Sequence, residues 1–415
     1  VIEDYVIVSN AEKVTSMKTN ATTNTNNGQT AIISVEGNPT ANFDIFIKQG
    51  AAAVQTCTTT GITSSSTFVQ IASAIKTAIE ANASLTNLTI TTDDNIVKIT
   101  HDTDILTQDI YVRKDIELEI NVINQNVSSA AALPKLGGYD GYVLNVVGVD
   151  EQNTLANYYV SWNASKQIWE EALEPGLDFE IDPDTMPHFL IRTGAPNSDG
   201  VAEFSFVVSG DTGLSNQRSA QSYANRLVGD DDSNPIPSFI GKSIIDVQFF
   251  RNRLVYLGQD SVVMSKSNDY FNLFASSAII NNSDNPIDIF LGSNFSVRPK
   301  YMEVYGNGLI VFTENQQFLV NSSAEALSPS TVRTELITKY VVKDDNLVKD
   351  AIEITAHVDT YIPKDIKYMT SISNKNMIFL GTVSEPKNIY VYSYYESNKK
   401  QLQSAWSKFN FNADI

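Results

Sequence analysis

The residue types that most often carry chemistry are few in this chain, and their spacing does not suit it. His101, His188 and His357 are the three histidines, and none sits at zinc-ligand spacing from another. Cys57 is the single cysteine, so neither a disulfide framework nor a CxxC metal site can be built from this sequence, and a reducing compartment suits it. No Ser-His-Asp or Cys-His arrangement stands out. Glu170 and Glu171 are adjacent, and on a strand adjacent side chains point to opposite faces, the wrong geometry for two carboxylates sharing acid–base work. Asp230, Asp231 and Asp232 could open a calcium loop, but such a loop needs Gly at its sixth position and Glu at its twelfth, where this chain has Pro235 and Gly241. The triplet is instead expected to cap a turn through Asx hydrogen bonds. Arg251 and Arg253 flank Asn252 and could meet DNA phosphates. The reading preferred for them is pairing with Asp230–Asp232 or Asp246, or stems that cover apolar surface. Ser209–Gly213, SGDTG, is similar to the Asp-box of sialidase propellers, but it occurs once and lacks the following Trp. Nothing here requires catalysis, a metal or a cofactor.

Composition bounds the elements that must hold these residues. The chain has 415 residues, 42% hydrophobic and 19% charged, which is globular and points to two or three domains. Aromatics make up 10%, and Asn, Thr and Ser are abundant, a mix that favours strands and turns over helices. The net charge is -19, the wrong sign for a protein that grips nucleic acid through its phosphates. It does not oppose one past which DNA must slide. No run approaches the length of a membrane-spanning helix, and no signal peptide is visible. The chain opens at Val1 without Met, inside a strand-like run, and reads as a piece of a longer protein.

Residues 1–10 read as one strand, followed by a polar Asn/Thr-rich loop. AIISVEG and NFDIFIKQG, joined at Gly37-Asn38-Pro39, suggest a hairpin. Ser65 and Ser66 can cap a helix over Thr67–Ala83, with Phe68, Ile71, Ala72, Ile75 and Ile79 on one apolar face. A second hairpin turns at Asp94-Asn95. The unit is a small α+β domain of the order β-β-α-β-β. From Leu133 the chain is again β: GYVLNVVG, a hairpin with Trp162 and Trp169 flanking its turn, MPHFLIR and EFSFVVSG.

The last part repeats. Residues 246–267, 302–323 and 369–393 each read as a strand, a turn carrying Asn252, Asn307 or Asn374, a second strand, a short loop and a third strand. Meanders recurring at intervals of about 56 and 67 residues are the mark of β-propeller blades; an all-β sandwich is the alternative. Three copies do not close a propeller, so further blades must lie elsewhere, in part in residues 1–10. The fold class is mainly β: a β-propeller with an inserted α+β domain and a β-rich insertion. The expected boundaries are 1–16 for edge strands of the propeller, 17–125 for the α+β domain, 126–215 for the β-rich insertion and 216–415 for the blades.

One tract carries a resemblance. Gly229, Asp230, Asp232, Asn234, Pro235, Pro237, Ser238, Phe239 and Gly241 match a GD-x-D-x-NP-x-PSF-x-G pattern. Asp246, Val247, Phe249, Phe250, Arg251, Asn252, Arg253 and Leu254 match DV-x-FF-RNRL. TMPHFLIR, NDYFNLF, DNPIDI and HVDTYIP add to these in the same order. Together they resemble the tubular tail protein B, or nozzle, family of short-tailed (podovirus) bacteriophages. The family carries another blade-like stretch between the regions matching Tyr340 and Asp350, which VVKDDNLVKD bridges here. The resemblance implies a virion protein, not an enzyme, synthesised in the host cytoplasm. It implies a hexameric ring at the distal end of the tail, contacting the adaptor ring (tubular tail protein A) and the tail fibre proteins. Double-stranded DNA would pass through the lumen without specific binding, and the chain would not insert in a membrane. The quoted motif residues would be structural and assembly residues. The alternative is a propeller-type tail protein that binds a receptor or glycan.

Overall fold

The computed structural model describes residues 5–19, 30–102, 110–135, 138–147, 157–192, 198–201, 203–210, 221–292, 297–305, 308–313, 317–322, 326–336, 362–363, 365–372, 375, 377–397 and 400–414. The chain is mainly β, with 43% of the described residues in strands and 7% in helices. Among the described residues the strands form several small antiparallel sheets, and no barrel closes.

The helical unit is built on Thr30–Val35, a strand buried along its whole length. It is central because Ile96–His101 pairs on one side of it and Ile120–Ile123 on the other. Leu88–Asp93 completes that sheet, joined to Ile96–His101 through a two-residue turn at Asp94-Asn95. The expected hairpin between residues 31–37 and 42–50 does not form. Both edges of Thr30–Val35 are occupied, and the N–H groups of Glu36 and Gly37 go to the Glu119 carbonyl, steering the chain away. Asp44–Ile47 instead centres a second sheet, between Gln55–Thr58 and Ile110–Val112. The unit is therefore two sheets and a helix in place of the simple β-β-α-β-β order.

The helix runs Phe68–Glu80. Its cap is Thr67, the residue that follows the expected Ser65 and Ser66. Ser66 is already engaged: its Oγ accepts the Thr63 N–H, and its carbonyl accepts Asn38 Nδ2. Thr67 and Gln70 form a reciprocal capping box. Ile71, Ala72, Ile75 and Ile79 are buried together with Ile33, Ile45, Cys57 and Ile99, so the helix face closes a core shared with both sheets.

The far face of the first sheet contributes Ile32, Ile96 and Ile123 to a second core. There it meets a sheet of Asn126–Val127, Val143–Val146, Tyr158–Asn163 and Ile168–Ala172. This core is continuous across residues 125 and 126. Trp162 and Trp169 pair across the expected hairpin with ring centroids 5.4 Å apart. Gly138 packs under them, where a Cβ would lie 2.8 Å from both indoles.

Three four-stranded meanders follow. The first is Asp246–Phe250, Arg253–Leu257, Ser261–Met264 and Ile287–Phe290. The second is Pro299–Tyr305, Gly308–Thr313, Gln317–Ser322 and Val332–Leu336. The third is Ile366–Ile372, Met377–Thr382, Asn388–Ser397 and Lys400–Asn410. Each gains a fourth strand beyond the three read from sequence, because that strand lies after a loop of variable length and composition. Arg251 and Asn252 make the first meander's turn with φ of 46° and 57°, the left-handed pair of a tight hairpin. Asn307, Asn374 and the VVKDDNLVKD bridge lie outside the described residues.

The meanders pack face to face in order. Phe250, Val255, Leu257 and Met264 of the first meet Met302, Leu309, Val311 and Phe318 of the second. Ile310 and Phe312 of the second meet Ile366 and Met369 of the third. The other face of the first, through Leu254, Tyr256 and Val263, meets Phe239, Tyr223 and Ile7. Ile7 belongs to a three-stranded sheet in which Tyr5–Val8 pairs with His188–Arg192, which pairs with Phe204–Val207.

Candidate functional site

The motif tract Gly229–Leu254 lies where the first meander meets the rest of the chain. Gly229 turns with φ of 86°, and a Cβ there would lie 2.7 Å from Ser233 Oγ. Asp230 Oδ1 accepts from the Asp232 N–H (3.1 Å), the Ser233 N–H (2.8 Å) and Ser233 Oγ (2.7 Å), while the Asn234 N–H reaches the Asp230 carbonyl. This is the expected capped turn. Burial opposes ionisation of Asp230, but those hydrogen bonds and the nearby Arg226 charge outweigh it and hold the carboxyl below its ordinary value.

The three acidic side chains diverge. Asp231 takes Arg226, a guanidinium only 1% exposed, at 3.0 Å. Asp232 stays at the surface. Among the described residues no group of three or more His, Cys, Asp or Glu could hold a metal ion.

Asn234 is buried. Its Nδ2 donates to the carbonyls of Val228 and Ala275, and its Oδ1 accepts the Ala275 N–H at 2.8 Å. Pro235 and Pro237 bracket the bend that follows. Ser238 then donates N–H and Oγ to the two carboxylate oxygens of Asp288, at 2.7 and 2.6 Å. Phe239 is fully buried against Tyr256, and Gly241, with φ of 83°, donates its N–H to the Thr15 carbonyl. Thr15 in turn donates Oγ1 to the carbonyls of Phe239 and Lys242. The motif thus ties the start of the chain, the first meander (at Asp288 of its last strand) and the loop at Ala275 to one another.

The second half of the motif faces two ways. Phe250 and Leu254 are buried in opposite cores. Phe249 is 40% exposed, edge-on to Tyr270, and the Arg251 guanidinium lies over the Phe250 ring. Asn252 accepts the Asn268 N–H on its carbonyl. Asp246 accepts from the Val247 N–H and the Met302 N–H. Arg253 departs from the sequence reading, which paired it with acids or left its stem on the surface. It is 1% exposed and donates to five backbone carbonyls: Ser265, Ser283, Asp284, Asn285 and Leu327. The reason is position: it opens an interior strand flanked by strands on both sides, so its head can reach only loop carbonyls. Leu327 belongs to the second meander, so Arg253 also joins two sheets.

Sequence reasoning missed Arg226, Thr15, Glu171 and Asp288 as partners. Glu171 accepts from Ser277 Oγ and the Ala278 N–H, both at 2.7 Å, and pins the loop beside Asn234. Asp288 was within sight, since the DNPIDI tract contains it. The others carry no local signal. His188 stacks on Phe206, and its Nδ1 lies 2.9 Å from the Met186 carbonyl. His101 is buried in its strand. Asp211 of the SGDTG run and His357 lie outside the described residues, and Ser209 Oγ is spent on the Gln221 carbonyl and the Tyr223 N–H. No helix of the described residues is long and apolar enough to cross a membrane.

Comparison with known proteins adds two findings. A family model described as bacteriophage nozzle protein matches residues 1–346 and 337–415. The tail tubular protein gp12 of Escherichia phage T7 is 27% identical over 327 residues, covering 71% of this chain and 38% of that protein. The chain therefore spans well under half the length of this curated relative.

Proposed function

This chain belongs to the bacteriophage nozzle protein family, a component of the virion tail, and on that premise we propose that it is a structural wall of the tail's distal conduit for DNA. Six copies form a ring around an axial channel. The ring contacts the adaptor ring (tubular tail protein A) and the tail fibre proteins, and double-stranded DNA leaves through its lumen without specific binding. The chain is not an enzyme.

The observation that carries this reading is what the motif side chains do. Asp230, Asn234, Ser238, Asp246 and the terminal nitrogens of Arg253 bond backbone groups or neighbouring side chains that join sheets and loops. A tract used in this way is scaffold. Its residues, Gly229 to Leu254, hold the subunit in the shape that assembly needs.

The meanders are blades of a β-propeller. Two features support this: each has four antiparallel strands, and the first strands of successive meanders lie side by side. Residues 1–16 edge this body through a strand, Tyr5–Val8, that pairs with His188–Arg192 of the 126–215 segment rather than with a meander, and 17–125 and the rest of 126–215 are insertions displayed from it. The negative charge of -19 per copy, repeated around a ring, denies DNA phosphates any counterion-releasing foothold on an acidic lumen.

Electron microscopy of the full-length protein or the intact tail tests this. A sixfold ring with an open axial channel is expected. A monomer or trimer with a concave pocket would overturn the conduit reading in favour of receptor binding, and a strongly basic lumen would overturn its electrostatics.

A further inference from the structure

The stacked meanders leave an apolar feature uncovered on each outward side. On the side of the first meander there is a cleft of about 320 Å³ beside the motif tract. Its walls include Pro235, Pro237, Val263, Leu273, Ile279 and Ile280. Val263 belongs to the face of the first meander turned away from the second, where it packs with Leu254 and Tyr256. One wall is fixed by hydrogen bonds. Glu171 holds Ser277 and Ala278, and Ser277 Oγ accepts the Ile279 and Ile280 N–H groups at 3.2 and 3.0 Å. A bonded loop thus holds out two isoleucines that are 50% and 60% exposed, as a contact surface does. Asn285 lines the same cleft and is buried. Its Oδ1 accepts the Ser276 N–H, and its Nδ2 has no hydrogen-bond partner among the described residues.

On the other outward side is the third meander. Met369, Leu380, Tyr390 and Lys408 follow one another across its four strands, and Met369 packs on the second meander. The alternate row, Tyr368, Gly381, Ile389 and Phe409, therefore faces away from the second meander. Phe409 is 53% exposed. Phe411, two residues on, is 45% exposed, and its N–H goes to the Lys387 carbonyl, which continues the edge.

We propose that copies of this chain associate head to tail, with Phe409 and Phe411 of one copy seated in the cleft beside Pro235 of the next.

Aromatic side chains are the usual anchors of such contacts, and the Asn285 amide offers a donor to a carbonyl of the incoming strand. Charge agrees. Among the described residues the only charged side chain lining the cleft is Asp288, and Lys242, the cation that acts on it, is paired with Asp260. Asp232 is exposed next to Ser233 of the wall. Lys387, beside Phe411, is exposed and in no ion pair among the described residues, and Lys408 is paired with Glu385. The partner is a second copy because cleft and phenylalanines lie on opposite outward faces of one stack. A copy that fills its cleft still presents its own phenylalanines, so the contact repeats. Such a heterologous contact closes a ring when the rotation closes and otherwise runs on as a filament. The inference rests on the ring reading only for its choice of partner.

Cys57 is the one cysteine of these 415 residues and is buried, so it does not compete with introduced thiols. In the full-length protein, Ile280→Cys combined with Phe411→Cys should give a ladder of covalent multimers with a short bismaleimide, and neither single variant should. Phe411→Ser should weaken association of copies at least about tenfold in sedimentation. A sixfold ring by electron microscopy with no ladder from the double variant overturns the contact and leaves the ring standing. A ladder without a closed ring upholds the contact and removes the ring. Neither ring nor ladder overturns both, and a Phe411→Ser variant that associates as tightly as the parent overturns the contact.

Discussion

Arg253 shows how far a charged residue can be drawn into structural work. Five carbonyls from four loop residues and the neighbouring meander converge on one buried guanidinium. The planar fork of donors suits that arrangement, and an ammonium does not. Arg253→Met leaves carbonyls buried without donors, and a loss of at least about 3 kcal/mol is expected in urea unfolding. Arg253→Lys should recover less than half of it. A near-neutral Met variant would show that the carbonyls find other donors. Arg251, two residues earlier, was legible only as one of a pair. Sequence treats the two alike, but one sits on the turn over Phe250 and the other opens a buried strand.

Among elements, the helix was the most legible. Apolar spacing over Phe68–Ile79 gave its buried face, because a period of 3.6 is a local property of the chain. Its exact cap was not, since three hydroxyl residues compete there and the loser is decided by contacts to Asn38 and Thr63. Thr67→Ala removes one half of the capping box and should cost about 1 kcal/mol, whereas Ser65→Ala should change stability by less than about 0.5 kcal/mol. Equal effects at the two positions, measured by thermal melting, would place the cap elsewhere. The Trp162–Trp169 hairpin was also readable, because its partners are close in sequence. The 31–37 and 42–50 pairing failed for the converse reason: Thr30–Val35 takes both its partners from far along the chain, Asp44–Ile47 pairs with Gln55–Thr58 nearby and Ile110–Val112 far on, and period-2 patterning does not name a partner.

For the whole molecule, the acidic charge and the internally bonded motif point the same way. A conduit that must release DNA gains from a surface that phosphates avoid. The 415-residue chain is therefore expected to leave double-stranded DNA unretarded in a gel-shift assay at about 0.15 M salt, with no gain in binding as salt falls. Salt-sensitive retardation would reveal a basic patch and weaken the proposed mechanism. Each of the first two meanders packs a face on the next, and hydrogen bonds at Met302 and Ser371 tie their first strands.

Sequence by itself determined the β-rich class, the repeat of the meanders, the family and the poverty of catalytic residues, because each is written in composition, period or ordered motifs. It also located the capped turn at Asp230, whose hydrogen bonds reach no further than four residues. Tertiary structure alone decided which strands pair, that Arg253 serves carbonyls, and that Arg226, Thr15 and Glu171 complete the junction. Those outcomes depend on burial and on partners distant in the chain, and neither is encoded within a window of neighbouring residues.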